Sequence, residues 1–199
     1  MAADSSSTKV LSPKYLAHIV LKTPNLQTMS TFYKTFLGAH ASFENEHLSF
    51  LTYDEEHHRI AIVAFPGVTA KTPSSAGMDH VAFTYDSVTD LLTAYKQRKS
   101  AGIVPVWCTN HGPTTSLYYA DPDGNRIETQ VDNFDSVEET DAFMHGPDFK
   151  ENPIGVDFDP EELIAKLERG VSESEIKKRP QIGARGVDSI PLFNEGVSG

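Results

Sequence analysis

Between Tyr15 and Val131 the apolar positions run through the same sequence of periods twice. Tyr15 to Leu21 (YLAHIVL) is apolar and β-rich, so it predicts a strand. Thr23-Pro24-Asn25 breaks it, and Asn25 or Thr23 can cap a helix after the break. Leu26, Met29, Phe32, Tyr33 and Phe36 recur at three-to-four spacing, which predicts an amphipathic helix ending at Gly38. Ala41–Phe43, Leu48–Tyr53 and Arg59–Phe65 read as three strands, with DEEHH between the last two. The segment 66–77, PGVTAKTPSSAG, reads as a linker.

The pattern then starts again. A strand is predicted at Asp79–Phe83, and a helix capped by Asp86 or Ser87 carries Val88, Leu91, Leu92 and Tyr95 up to Gly102. Strands come next at Ile103–Cys108, Thr115–Ala120 and Arg126–Val131, the last two joined by the turn signal DPDGN. At an offset of 62 residues His18 matches His80, Thr31 matches Thr93, Tyr33 matches Tyr95, Lys34 matches Lys96 and Ala39 matches Ala101. These identities fall in register with the repeated strand-helix order, so the chain reads as a duplicated β-α-β-β-β module and an α+β fold.

The remainder is different in kind. Residues 1–13 read as a flexible tail, 14–132 as the paired modules (14–66 and 77–132), and 133–199 as a helical and extended extension. In the extension DSVEETDAFMHG predicts a short helix. Asp159-Pro160-Glu161-Glu162 is a strong helix start, with the helix stopping at Gly170. Ser172 to Arg179 predicts another. This extension cannot form a core alone and is expected to wrap the module or a second subunit.

Composition adds exclusions. The 17 basic and 28 acidic residues give a net charge of −11, which argues against a nucleic-acid or anionic-membrane partner. Cys108 is the sole cysteine, so no intrachain disulfide forms, and one cysteine is too few for a structural zinc finger. MAADSSSTK lacks the apolar core of a signal peptide and no stretch is long and apolar enough to span a bilayer, so a cytoplasmic setting is expected.

The candidate chemistry begins with Glu128, a carboxylate between Ile127 and Thr129 on a predicted strand. Burying such a charge is costly without a partner. His18 and His80, each near the start of an apolar strand and equivalent in the repeat, are the candidates to compensate it. Two histidines and one carboxylate form the donor set of facial-triad iron(II) sites, which leave coordination positions open. Taken singly, a strand histidine is more often a satisfied core residue, Tyr118 a core aromatic, His57 and His58 a solvated turn pair, and His111 a loop cap. His40, His47 and His145 have no motif around them and read as structural, and the aspartates of DPDGN read as turn formers.

On these residues the chain resembles the vicinal oxygen chelate superfamily, which includes glyoxalase I, the fosfomycin and bleomycin resistance proteins and the extradiol dioxygenases. The resemblance covers residues 14–132. It implies an open, cupped mixed sheet around a metal site, with ligands from the first strand of each module and the last strand of the second: His18, His80 and Glu128. The glyoxalase I pattern adds a glutamate late in the first module, and the strand in that place, RIAIVAF (59–65), has no carboxylate. Three features resemble the type I extradiol dioxygenases. Tyr118 lies ten residues before Glu128. His111-Gly112 stands upstream of it, at a shorter spacing than in many members. His58-Arg59-Ile60-Ala61 precedes the second metal histidine.

The resemblance therefore implies an Fe(II)-dependent enzyme that cleaves a catechol-like diol with O2. In it His58 is the acid-base residue, Tyr118 hydrogen-bonds a substrate oxygen and His111 steadies the bound oxygen or the ring. It also implies a homodimer. Two alternatives share the scaffold: an isomerase or lyase holding Mn, Co, Zn or Ni, and a metal-free protein that sequesters an aromatic compound.

Overall fold

The computed structural model describes residues 10–72 and 76–191. The first nine residues of the expected N-terminal tail, the middle of the expected linker and the last eight residues of the extension lie outside the described residues. The chain divides into two compact units, one through Val68 and one from Thr69 onward.

In the first unit β1 (Ile19–Lys22), α1 (Leu26–Leu37), β2 (His40–Glu44), β3 (Leu48–Thr52) and β4 (Ile60–Val63) come in order. The strands form one mixed sheet in the order β1-β4-β3-β2, with β1 and β4 parallel and the other pairs antiparallel. Helix α1 buries Met29, Tyr33 and Phe36, one stripe at helical spacing, and contacts β3 and β4, whose Leu51, Ile60 and Ile62 are also buried. The left-handed turn at Gly38 (φ 64°) ends the helix. At its start Asn25 occupies the cap position without a side-chain capping bond, while the Thr23 hydroxyl accepts from the Asn25 N–H at 2.9 Å.

The second unit repeats the plan. It has β5 (His80–Thr84), α2 (Val88–Ser100), β6 (Trp107–Asn110), β7 (Thr114–Ala120) and β8 (Arg126–Asp132). Its sheet runs β5-β8-β7-β6-β9, with β5 and β8 parallel. The α+β class and the repeated β-α-β-β-β order are borne out, with the strands forming two mixed sheets, one in each unit. Helix α2 buries Val88, Leu91, Leu92 and Tyr95 and contacts β8, whose Ile127 is buried. Ser87 caps it, accepting from the Asp90 N–H at 3.0 Å. DPDGN is a turn held by Asp121, whose carboxylate accepts from the backbone of Asp123 (3.0 Å) and Asn125 (2.8 Å), with Gly124 at φ 78°.

Two strands begin later than their apolar runs. Strand β6 starts at Trp107 rather than Ile103, because the Ile103 N–H closes the end of α2 by donating to the Arg98 carbonyl (2.9 Å) and Pro105 has no N–H to give a ladder. Strand β1 starts at Ile19, where the N–H donates to the Arg59 carbonyl at 3.0 Å.

The extension supplies α3 (Val137–His145), α4 (Pro147–Glu151), β9 (Val156–Asp157), α5 (Pro160–Glu168), α6 (Glu173–Ile176) and a 3-10 turn at Val187–Ser189. All of it belongs to the second unit. Strand β9 pairs antiparallel with β6, and α5 contacts α2. Asp159 caps α5, accepting from the Glu161 N–H at 2.9 Å, with Pro160 at the first position. Helix α6 is shorter than the predicted Ser172–Arg179. It ends at Ile176, and beyond it the Arg179 side chain donates to the carbonyls of His111, Asn152 and Asp148. No helix among the described residues is long and apolar enough to cross a membrane.

Candidate active site

The parallel pairing of β5 with β8 sets Ala82 beside Glu128, two positions along from His80. Alternation along the strand then puts His80 and Glu128 on one face, with only the small Ala82 side chain between. Nε2 of His80 lies 3.0 Å from Oε2 of Glu128, and Nδ1 lies 2.8 Å from Oδ2 of Asp79. Arg126 donates to Asp79 at 3.2 Å, so the imidazole sits between two carboxylates, the outer one itself held by a guanidinium.

These contacts answer the desolvation problem posed by the sequence. The Glu128 side chain is only 6 % exposed. Burial pushes its carboxyl up, but hydrogen bonds from His80 and Ser116 and the charge of His80 outweigh burial and hold it below the usual carboxylate value. The reciprocal effect on His80 is large. The hydrogen bond to Glu128, opposed by burial and reinforced by Asp79, raises its pKa to about 9.

Across the antiparallel β7–β8 pair Tyr118 is directly opposite Glu128. Its ring meets His80 edge-on (centroids 5.4 Å apart, 90°) and stacks on Trp107 (4.8 Å, 24°). Burial, then the charge of Glu128, raises the phenol pKa, so Tyr118 is a neutral hydroxyl. That hydroxyl lies 2.9 Å from Nε2 of His111, and Nδ1 of His111 lies 2.5 Å from the carbonyl oxygen of Ile154. Gly112 is at φ 102°, and a side chain there would run into the ring of Phe143. This is why a His-Gly step works at the end of β6.

The other predicted site residues lie in the first unit. His18 stands exposed just before β1, and His58 precedes β4. Their rings are 4.3 Å apart, and His58 also stacks on Phe50 (4.8 Å, 18°). Nδ1 of His57 and Nδ1 of His58 are 2.6 Å apart. Burial first, then the neighbouring His18 and His57, lowers the His58 pKa below the ordinary histidine value. The second unit thus gathers His80, Glu128, Tyr118 and His111, and the first gathers His18 and His58. Among the described residues no three His, Cys, Asp or Glu side chains are already drawn together as a ready metal-binding group.

Three parts of the second-unit site carry no signature in the sequence. Asp79 orients His80 as a carboxylate behind a histidine commonly does in metal sites. Trp107, the only tryptophan, walls the site and donates from Nε1 to Asp157 at 2.8 Å. Arg185 fixes that carboxylate from the extension, with Nη1 and Nη2 at 2.7 and 2.9 Å from its two oxygens. A lone tryptophan beside a candidate hairpin is the one sign that could have pointed to this wall.

The donor chemistry fits a divalent transition metal. One imidazole nitrogen and one carboxylate oxygen already face each other at 3.0 Å, and the imidazole's far nitrogen is oriented by Asp79.

Comparison with known proteins identifies the family. The sequence model of the Glyoxalase/Bleomycin resistance protein/Dioxygenase superfamily matches residues 15–129. The chain is 46% identical over 160 residues to biphenyl-2,3-diol 1,2-dioxygenase 2 of Rhodococcus globerulus, covering 80% of this chain and 84% of that protein. To biphenyl-2,3-diol 1,2-dioxygenase 3 of the same organism it is 45% identical over 166 residues, covering 82% and 87%. Among solved structures, a glyoxylase/bleomycin resistance protein/dioxygenase domain from Frankia sp. EAN1pec shares the fold, with a TM-score of 0.51 and 19% identity over 61% of this chain and 93% of that one. With its repeated modules, its His80–Glu128 pair and a match spanning both modules, the chain belongs to the glyoxalase/bleomycin resistance protein/dioxygenase superfamily.

Proposed function

We propose that the chain is an extradiol ring-cleavage dioxygenase. It would open a catechol-like aromatic diol with O2, using Fe(II) held by His18, His80 and Glu128. The observation that carries this reading is the grouping of Tyr118 and His111 around the His80–Glu128 pair, in a chain 46% identical to a biphenyl-2,3-diol 1,2-dioxygenase. That relative's name locates oxygen insertion between C1 and C2 of a 2,3-diol. The broken bond lies outside the two hydroxyl-bearing carbons, which is extradiol chemistry. The strand 59–65, which has no carboxylate, speaks against the four-ligand isomerase reading, and the charge-bearing His80–Glu128 pair speaks against a metal-free binding protein.

Iron(II), when bound, supplies open positions for diol and dioxygen and a path for electrons between them. The protein's own groups do the rest. His58 takes a proton from a diol hydroxyl and returns one to the oxygen that leaves as the ring opens. Tyr118, a neutral phenol, hydrogen-bonds a substrate oxygen. Trp107 and Tyr118, stacked on each other, form an apolar wall. The single, buried cysteine fits a cytoplasmic setting, and the reading includes a homodimer.

The test is anaerobic reconstitution of purified protein with Fe(II), then exposure to air and a panel of catechols that includes a biaryl diol. Oxygen uptake matched one-to-one by a coloured ring-fission product is the expected result. No uptake with any diol, or activity only with Mn, Co, Zn or Ni and without oxygen, overturns it.

A further inference from the structure

A carbonyl oxygen can only accept a hydrogen bond, so the short contact between the Ile154 carbonyl and His111 places the ring proton on Nδ1. Burial lowers the His111 pKa, so the ring carries a single proton near neutral pH. Nε2 is then a lone pair, and the group 2.9 Å from it is the Tyr118 hydroxyl. Tyr118 has a second acceptor within its surroundings, the Glu128 carboxylate opposite it. That carboxylate is also supplied by His80 and Ser116, whereas the Nε2 lone pair of His111 faces the Tyr118 hydroxyl.

The carbonyl of Ile154 has little freedom to move. Asn152 is 3% exposed; its Oδ1 accepts from the N–H of Ile154 (3.1 Å) and Gly155 (2.7 Å), and its Nδ2 donates to the Gly155 carbonyl (3.0 Å). Gly155 sits at φ 112°, against the Asn110 carbonyl and the His111 Cα, where any side chain would collide. Arg179 closes the other side, donating from Nη1 to the carbonyls of both His111 (3.1 Å) and Asn152 (2.7 Å). The turn is therefore tied to the end of β6 on both flanks.

We infer that residues 152–155 are a positioning element for Tyr118: the Ile154 carbonyl fixes the His111 proton on Nδ1, Tyr118 donates to Nε2, and the phenol oxygen meets the substrate as an acceptor. The part of this that concerns substrate rests on the dioxygenase reading; the placement of the proton does not. Under that reading a substrate hydroxyl donates to Tyr118, which selects one orientation of the diol.

The test is a long-range 1H–15N correlation spectrum of the metal-free full chain with 15N-histidine at neutral pH. His111 is assigned by the signals lost in His111→Gln. A single Nδ1–H tautomer, its proton slow to exchange, is expected; an Nε2–H tautomer, or shifts averaged between the two, overturns the inference. In Asn152→Ala the His111 signals should move toward the average of both tautomers. With Fe(II) bound, its kcat should fall about tenfold, the worth of one lost hydrogen bond, with KM little changed. Asn152→Asp, which keeps the acceptor for both N–H groups, should restore both readouts. A pure Nδ1–H tautomer in Asn152→Ala would show that the turn does not set the proton, and overturns it. If Asn152→Ala does not fold, the wild-type spectrum still decides. The expected tautomer together with no ring cleavage on any diol would sink the dioxygenase reading and leave the proton placement standing.

Discussion

Tyr118 and Glu128 are direct partners across the β7–β8 ladder, so the ten-residue interval between them in the sequence is the length of one hairpin closed by the DPDGN turn. The pairing places a phenol and a buried carboxylate on one face, with His80 completing the group from β5. Tyr118→Phe keeps the stack on Trp107 and the edge contact with His80 and removes only the hydroxyl. It should lower kcat/KM on a cleavable diol by about twofold to about tenfold, the range for losing a hydrogen bond accepted from a neutral substrate hydroxyl. Metal content measured by atomic absorption should not change. Loss of metal along with activity would mean that Tyr118 supports the ligands rather than the substrate.

Asp79 makes a separate prediction. It touches Nδ1 of His80 and is held by Arg126, but it is not among the proposed ligands. Replacing a carboxylate behind a metal-binding histidine typically weakens metal binding by about 10- to 100-fold. Asp79→Ala should therefore raise the Fe(II) concentration needed for half-maximal activity by about that factor, with kcat at saturating iron close to wild type. An unchanged iron requirement would remove Asp79 from the site.

Legibility in the sequence depends on which interactions are local. Helix α1 and helix α2 were legible because Met29, Tyr33 and Phe36, and Leu91, Leu92 and Tyr95, are buried at helical spacing. The turn at Asp121–Asn125 was legible because its hydrogen bonds span four residues. His80 and Glu128 could be named only through the repeat and the family resemblance, since the 3.0 Å contact between them depends on a parallel register no local rule specifies. Strand β9 was not legible at all: Val156-Asp157 is two residues long and exists because Asn110 and Thr109 offer it an edge. The same holds for Trp107, whose partner Asp157 is fifty residues away.

His58 tests the proton-transfer part of the proposal. Its ring stacks on Phe50 and lies against His18, so an aromatic replacement keeps the packing. His58→Phe should bind Fe(II) normally and lose about 10²- to 10⁴-fold in ring opening, the usual contribution of a positioned acid-base group. Single-turnover absorbance should show substrate binding at a normal rate with product formation delayed. Wild-type turnover in this variant would end the role assigned to His58.

The contact between Glu173 and the start of α2 predicts a pH dependence far from the site. Glu173 Oε2 accepts from the Val88 N–H (3.0 Å), and Oε1 accepts from the Thr89 N–H (2.9 Å) and the Thr89 hydroxyl. A carboxylate there satisfies free donors and faces the positive end of the helix dipole. Burial pushes the Glu173 pKa up, but the Thr89 and Val88 hydrogen bonds outweigh it and leave it below the ordinary 4.5. A group whose pKa is lower in the folded state stabilises above the unfolded value, and that stability disappears as the pH falls through the folded value. At pH 7 Glu173→Gln should cost about 1 kcal/mol after allowing for solvent screening, or about 2–4 °C in Tm for a chain of this size. The wild type and the variant should converge as the pH drops below 4.5 toward 3, because the wild-type carboxylate is then protonated. A Tm difference that stays constant from pH 7 to pH 3 would mean that the charge contributes nothing, and that Glu173 ties the extension to α2 through its shape and neutral hydrogen bonds alone.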